Sequence, residues 1–158
     1  MKSLTIAVDL DNTMVDHLGQ RIRPGMAAFL ERLRAQGHTL IVFTSSTRDR
    51  ARIILRDHDL AKYFTRSVFR EDYDAQNAGR AKDLRLFGAD VLIDDDPGHV
   101  AFVESIGLHG IRISSFRGER VNPAELDRIF RAIAARNSPL QRFRNMLAHL
   151  RFGGIAAK

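Results

Sequence analysis

At 158 residues, with 44% hydrophobic and 28% charged positions, the chain suits a single globular domain with a sizeable core. It holds no cysteine, which excludes disulfides and thiolate metal sites. The net charge of +6 keeps an anionic partner in view, but arginines are scattered along the chain, with denser groups at 48–56 and 142–151, so basicity alone names no partner.

The first apolar run, Leu4 to Val8, reads as a buried strand that ends abruptly in Asp9-Leu10-Asp11-Asn12-Thr13. It is too short to span a membrane and lacks a small-residue cleavage site, which predicts a cytoplasmic protein without a signal peptide or transmembrane segment. A loop from Met14 to Arg23 leads to Pro24-Gly25, which opens a helix. Met26, Phe29, Leu30 and Leu33 recur at the period of one helix face, and Gln36-Gly37 closes it. Thr39 to Thr44 is a second buried strand, followed by a polar helix over about Thr47 to His58 with Ala51, Ile54 and Leu55 inward. A short third strand is expected at Ser67–Phe69, a polar loop at Glu71 to Ala78, and a short helix near Arg80–Phe87. Ala89 to Ile93 is the fourth strand, ending in Asp94-Asp95-Asp96-Pro97, where Asp96 caps the next helix. That helix carries Val100, Val103 and Ile106, and Gly110 to Ile113 forms a fifth strand. Asn122-Pro123-Ala124-Glu125 starts a last helix with Leu126, Ile129, Phe130 and Ile133 on one face. The alternation predicts a doubly wound, Rossmann-like α/β fold with a mainly parallel five-stranded sheet over residues 1–136. Residues 137–158 form a basic amphipathic segment and tail; its apolar side carries Leu140, Phe143, Met146, Leu147 and Leu150. Packing on the sheet or on a second subunit is the plain reading, and a partner-binding helix or a loose tail the others.

Asp9, Asp11, Thr44, Asp94 and Asp95 all fall just after a strand, where open α/β sheets bind ligands. Residues at i and i+2 of a strand point the same way, so Asp9 and Asp11 share one small space. Crowded carboxylates repel unless a cation or a shared proton separates them, and a hard divalent ion suits oxygen ligands. Each residue has a plainer role when taken alone. The Asp pair could be an Asx-turn or helix cap, Thr44 could cap the next helix, and Lys82 could be a solvated helix residue.

Taken in order, Asp9-Leu10-Asp11-Asn12-Thr13, Thr44, Lys82 and Asp94-Asp95 resemble the four motifs of haloacid-dehalogenase (HAD) superfamily phosphatases. The capless branch of small C-terminal-domain, or NLI-interacting-factor-like, phosphatases is the nearer likeness. It is carried by Arg23-Pro24-Gly25, Val42-Phe43-Thr44-Ser45-Ser46, Val68-Phe69-Arg70-Glu71, Lys82-Asp83-Leu84 and Ile93-Asp94-Asp95-Asp96-Pro97. The resemblance implies Mg²⁺ held by Asp9, the backbone carbonyl of Asp11, and Asp94. Asp9 is placed to attack phosphorus and form an aspartyl-phosphate, while Asp11 protonates the leaving oxygen and later deprotonates water. Thr44 and Ser45 would bind phosphate oxygens, Lys82 would supply a point charge to phosphate and Asp9, and Asn12, Thr13 and Asp95 would support them, Asp95 by orienting Lys82 or a water of the ion. None of the six histidines shows ligand spacing.

Neither Met14 to Arg23 nor the stretch from Thr44 to Lys82 is long enough for a folded cap, so the site is expected to be open. That suits a phosphorylated macromolecule or peptide, a Ser/Thr phosphoprotein foremost, better than a caged small phosphate ester. Two features depart from the likeness. The segment after the first motif is too short for the insertion that grips proline-containing phosphopeptides in the eukaryotic-type enzymes, and Asn12 stands where they carry Glu. The alternatives are a nucleotide or polynucleotide end phosphatase, mildly favoured by the positive charge, and a phosphate-binding signalling module without turnover. Oligomeric state is not encoded in any motif.

Overall fold

The computed structural model describes residues 3–136; the boundary at 137 and the basic C-terminal segment lie outside the described residues. Five strands, β1 (Thr5–Val8), β2 (Thr39–Phe43), β3 (Arg66–Val68), β4 (Val91–Asp94) and β5 (His109–Arg112), form one sheet in the order β3-β2-β1-β4-β5. All four pairings are parallel. Strands buried on both faces need apolar side chains pointing both ways, which is why β1, β2 and β4 read as continuous apolar runs. Ile6 and Val8 face one core layer with Met26, Phe29, Leu30 and Leu33 of α1 (Met26–Ala35), Ala51, Ile54 and Leu55 of α2 (Arg48–Asp57), and Leu126, Ile129 and Ile133 of α5 (Ala124–Arg136). Ala7, Ile41, Phe43 and Leu92 face the other layer, against Val103 of α4 (Pro97–Ser105) and Leu84. The chain is thus wound on both sides of the sheet.

Strand order reverses between β1 and β4, and the crevice at their carboxyl ends is the switch point where such sheets bind ligands. Val8 is level with Val42 on one side and Ile93 on the other. This register brings the residues just after β1 and β2 and the last residue of β4 to one edge.

Several stretches differ from the sequence expectation: the fourth strand runs over Val91–Asp94 rather than Ala89 to Ile93, and the fifth begins one residue earlier, at His109. The third strand begins one residue earlier, at Arg66. The expected polar loop contains a short helix, α3 (Arg70–Tyr73), because the Asp72 carboxylate accepts the Phe69 N–H at 2.8 Å and caps it. The expected helix at 80–87 is only a 3₁₀ turn at Leu84–Phe87. The Asp74 carboxylate gathers the backbone N–H groups of Ala78, Gly79 and Arg80 at 2.8, 2.9 and 3.1 Å, holding the chain before Lys82 out of a helix.

After β1 the chain makes a tight hairpin over residues 15–22, closed by Asp16 N–H to the Arg21 carbonyl at 3.0 Å and pairing Val15 with Ile22. Its tip packs on α2. Gly19 lies at φ +73°, and a Cβ there would sit 2.5 Å from Ile54 Cδ1, so any other residue would be strained and would have to push Ile54 aside. His58 Nε2 donates to the Gly19 carbonyl at 2.8 Å. Behind the hairpin, Arg23 is buried, donating to the carbonyls of Thr13 (2.6 Å), Asn12 (3.1 Å) and Ser114 and pairing with Glu125. It fixes the Asn12-Thr13 turn to the start of α5.

Candidate active site

Asp9, Asp11, Asn12, Thr44, Ser45, Lys82, Asp94 and Asp95 line one cavity of about 230 Å³ at the switch point, joined by Ser46 and His99. Asp9 continues the β1 ladder, donating its N–H to the Ile93 carbonyl at 2.9 Å, and is 5% exposed. The Lys82 Nζ lies between two carboxylates, 2.6 Å from Asp9 Oδ1 and 2.7 Å from Asp94 Oδ2. Lys82 is 1% exposed, so its solvated-helix reading does not apply. Asp94 Oδ1 accepts the Asp96 N–H at 2.8 Å, and Asp96 caps α4 by accepting the Gly98 N–H.

The electrostatics follow from burial. Desolvation pushes the Asp9 carboxyl up from 3.8; Lys82 draws it back, Asp94 and Asp95 push it further, and the balance stands at about 7. Burial alone would lower the Lys82 ammonium, but Asp9 and Asp94 outweigh it and hold it above its ordinary range. Burial also raises Asp95. Asp9, Asp94 and Asp95 present carboxylate oxygens within 4.8 Å of one another, and Lys82 can neutralise only one of three negative charges. Hard oxygen donors with a surplus of negative charge fit a divalent cation, and these three residues could hold one.

Thr44 is fully buried; its N–H donates to the Val68 carbonyl at 3.0 Å and its Oγ1 accepts the Ser46 N–H at 3.0 Å. The hydroxyl thus helps shape the turn into α2 while lining the cavity. Ser45 is turned to the opposite rim, its Oγ 3.0 Å from the Tyr73 hydroxyl and 3.5 Å from His99 Nε2. Burial, with the nearby Lys82 charge, lowers the His99 imidazole below its ordinary range. Asn12 sits at φ +58°, a conformation its short polar side chain tolerates, and its Oδ1 is buried in the cavity wall with no partner among the described residues. Thr13 stands behind the wall, its Oγ1 3.5 Å from Asp95 Oδ1. Asp11 lies at the mouth, held by Ser46 and by Arg50 of α2. Sequence reading missed His99, Tyr73 and Arg50. The four-residue spacing of Ser46 and Arg50 was the one local signal, and it could have pointed to Arg50 alone.

A 3-2-1-4-5 parallel sheet carrying its acidic cluster at the switch point defines a HAD-like hydrolase. The chain matches the NLI interacting factor-like phosphatases over residues 4–138, and it belongs to that family. It is therefore a phosphatase. Among solved structures it is similar to a hydrolase from Streptococcus pneumoniae TIGR4, with 16% identity over 73% of this chain and 95% of that one, and a TM-score of 0.58. A protein from Listeria monocytogenes serotype 4b aligns at 13% identity over 84% and 97% of the two chains, with a TM-score of 0.57. A chain of the Pnkp1/Rnl/Hen1 RNA repair complex aligns at 17% identity, over 72% of this chain but 43% of its own length, with a TM-score of 0.55. At these identities the likeness is one of fold. No curated protein sequence matches the chain significantly. Among the described residues, no helix is long and apolar enough to cross a membrane.

Proposed function

We propose that the protein is a Mg²⁺-dependent phosphatase that hydrolyses phosphate monoesters through an aspartyl-phosphate on Asp9, acting foremost on Ser/Thr phosphoproteins. The observation that carries this reading is the buried Asp9–Lys82–Asp94 bridge, with Asp11 two residues beyond at the cavity mouth. Asp9, Asp94 and the backbone carbonyl of Asp11 would hold the ion, with Asp95 beside it. When bound, it offsets the repulsion between carboxylate and phosphate and stabilises charge in the transition state.

In the first half-reaction an Asp9 oxygen attacks phosphorus, the bond to the leaving oxygen breaks, and Asp11 gives that oxygen its proton. In the second, water attacks the same phosphorus, Asp11 takes a proton from it, and the bond to Asp9 breaks, releasing inorganic phosphate. Lys82 offsets part of the cost of ionising the buried Asp9 and offers its charge to the phosphoryl oxygens, and Thr44 donates its hydroxyl to one of them. The ladder bond at Asp9 fixes the nucleophile's backbone, so little reorganisation accompanies attack. The open mouth supports a phosphate carried on a macromolecule. Among the described residues, neither the stretch from 13 to 43 nor that from 47 to 81 lines it.

The test is hydrolysis of an aryl phosphate with and without Mg²⁺, for the native chain and Asp9→Asn. Metal-dependent turnover that falls to background in the variant is expected. More than a tenth of native activity in Asp9→Asn would overturn the role of Asp9. A following screen of phosphopeptides against nucleotides and 3′- or 5′-phosphorylated oligonucleotides decides the substrate class, and preference for oligonucleotides would overturn the phosphoprotein assignment.

A further inference from the structure

The Asp11 carboxylate is held at both oxygens by groups to which the mechanism has given no role. Oδ2 accepts the Ser46 hydroxyl at 2.6 Å, and Oδ1 accepts Arg50 Nη1 at 2.5 Å. The same Nη1 donates to Ser46 Oγ at 2.5 Å, and Nη2 donates to the His17 carbonyl at 3.0 Å. The donor count closes: the two hydrogens of Nη1 serve Asp11 and Ser46, and the Ser46 proton goes on to Asp11. One guanidinium therefore spans the acid, the turn after β2 and the hairpin after β1.

Local sequence builds the arrangement. Ser46 precedes the α2 N-cap, Thr47, and Arg50 falls in the first turn, four residues on, so the two side chains stack on one side of the helix start. The base of Arg50 is firm because Ala51, Ile54 and Leu55 bury α2 in the core and the Glu71 carboxylate accepts the Arg48 N–H.

Two plainer roles fit less well. A stabilising ion pair would need burial, yet the Arg50 and Asp11 side chains are 36% and 24% exposed, and pairs that wet contribute little to stability. A staple for the hairpin is redundant, because His58 and the packing of Gly19 on Ile54 already fasten it to α2. What Arg50 does, together with Ser46, is fix both the position and the plane of the Asp11 carboxylate.

We propose that Arg50 is a positioning residue that aims Asp11 at the leaving oxygen, which rests on the reading of Asp11 as the acid and base. A general acid works only within hydrogen-bond reach and correct alignment of the atom it protonates. A carboxylate at a cavity mouth has two free torsions unless it is held, and Arg50 with Ser46 removes them. The planar fork is needed because a lysine, with its single point of charge, cannot serve Asp11, Ser46 and the His17 carbonyl together.

The experiment compares kcat/KM, which reports the phosphorylation half-reaction, for an alkyl phosphate and for 4-nitrophenyl phosphate. It uses the native chain, Arg50→Gln, Arg50→Lys and Asp11→Asn. Nitrophenolate leaves without help, whereas an alkoxide needs the proton. Arg50→Gln is expected to lower kcat/KM for the alkyl ester about 30-fold and for the aryl ester no more than about threefold, part of the 10²–10⁴-fold that general acid catalysis supplies. Arg50→Lys should recover a fraction of the alkyl activity, and both variants should unfold at the native temperature. An equal fall for both esters, or a rise in KM at constant kcat, would make Arg50 a substrate-gripping group and overturn the proposal. If Asp11→Asn steepens leaving-group dependence and Arg50→Gln does not, the positioning role alone fails. If Asp11→Asn leaves it unchanged, the acid role of Asp11 fails and the positioning role falls with it.

Discussion

Replacing Lys82 with methionine isolates the electrostatic problem at the centre of the site. The substitution keeps most of the apolar stem and removes the one cation, among the described residues, that bridges Asp9 and Asp94, whose side chains are 8% and 1% exposed. At 2.6 and 2.7 Å, each ion contact amounts to about 6 kcal/mol of gross attraction at an effective dielectric near 20. Desolvation of all three groups offsets much of that, and removing one partner of a buried pair costs about 3–5 kcal/mol. The loss should also depend on pH. A carboxyl whose folded pKa is raised is favoured by folding at low pH and loses that advantage as pH rises from its unfolded value through its folded one. In the native chain this loss for Asp9 ends near pH 7. Without the pull of Lys82 the folded value rises further, so above pH 7 the gap between variant and native chain widens by up to about 1.4 kcal/mol per pH unit. Urea unfolding in EDTA at pH 6 and pH 8, followed by far-ultraviolet circular dichroism, measures both effects. A gap below about 1 kcal/mol at pH 8, or one that narrows from pH 6 to pH 8, would refute the argument that Lys82 compensates two buried charges. Saturating Mg²⁺ should shrink the gap, because an ion among the carboxylates replaces the missing ammonium.

Two further outcomes test the scaffold. At Gly110 in β5 an added Cβ would lie 2.7 Å from the Val100 carbonyl oxygen and 2.8 Å from Val100 Cγ1. Because α4 backbone cannot yield as a side chain can, Gly110→Ala should cost about 1–3 kcal/mol in urea unfolding, and a neutral result would show that α4 shifts freely over the sheet. His109 is lowered from 6.5 to about 4 by burial and, to a lesser degree, by Arg136. The unfolded chain therefore binds the extra proton between those values, and stability present above pH 6.5 is lost as pH falls toward 4. Discounted for partial solvent screening, the loss should be about 1–2 kcal/mol, and His109→Gln should flatten that part of the stability profile. An unchanged slope would assign the acid sensitivity elsewhere.

The core strands and the carboxylates at their ends were legible because a strand buried on both faces must be almost wholly apolar, so its polar end stands out. Asp9, Thr44 and Asp94 are marked in this way, and parallel register then brings them to one edge. Lys82 was legible as a site candidate by its order in the chain but not in its setting. Arg80 to Phe87 has the composition of a helix, and the capture of three N–H groups by Asp74 overrides that propensity. His99 carried no sign at all and Arg50 only its spacing from Ser46, since their meaning comes from Ser45 and Asp11, which lie 54 and 39 residues away.

The charges at the sheet edge also explain why the chemistry would need a cation. Asp11 has Arg50 as its partner, so its charge is accounted for locally. Asp9, Asp94 and Asp95 share one ammonium, leaving the interior of the cavity net negative when all are ionised. A phosphate dianion entering such a site would be repelled, and Asp9 relieves the crowding in part by binding a proton more readily than an ordinary carboxyl. That proton would block its attack on phosphorus. A divalent ion would remove both obstacles, ionising Asp9 and cancelling the surplus, so on the proposed mechanism this charge imbalance is the feature that would make turnover conditional on the metal.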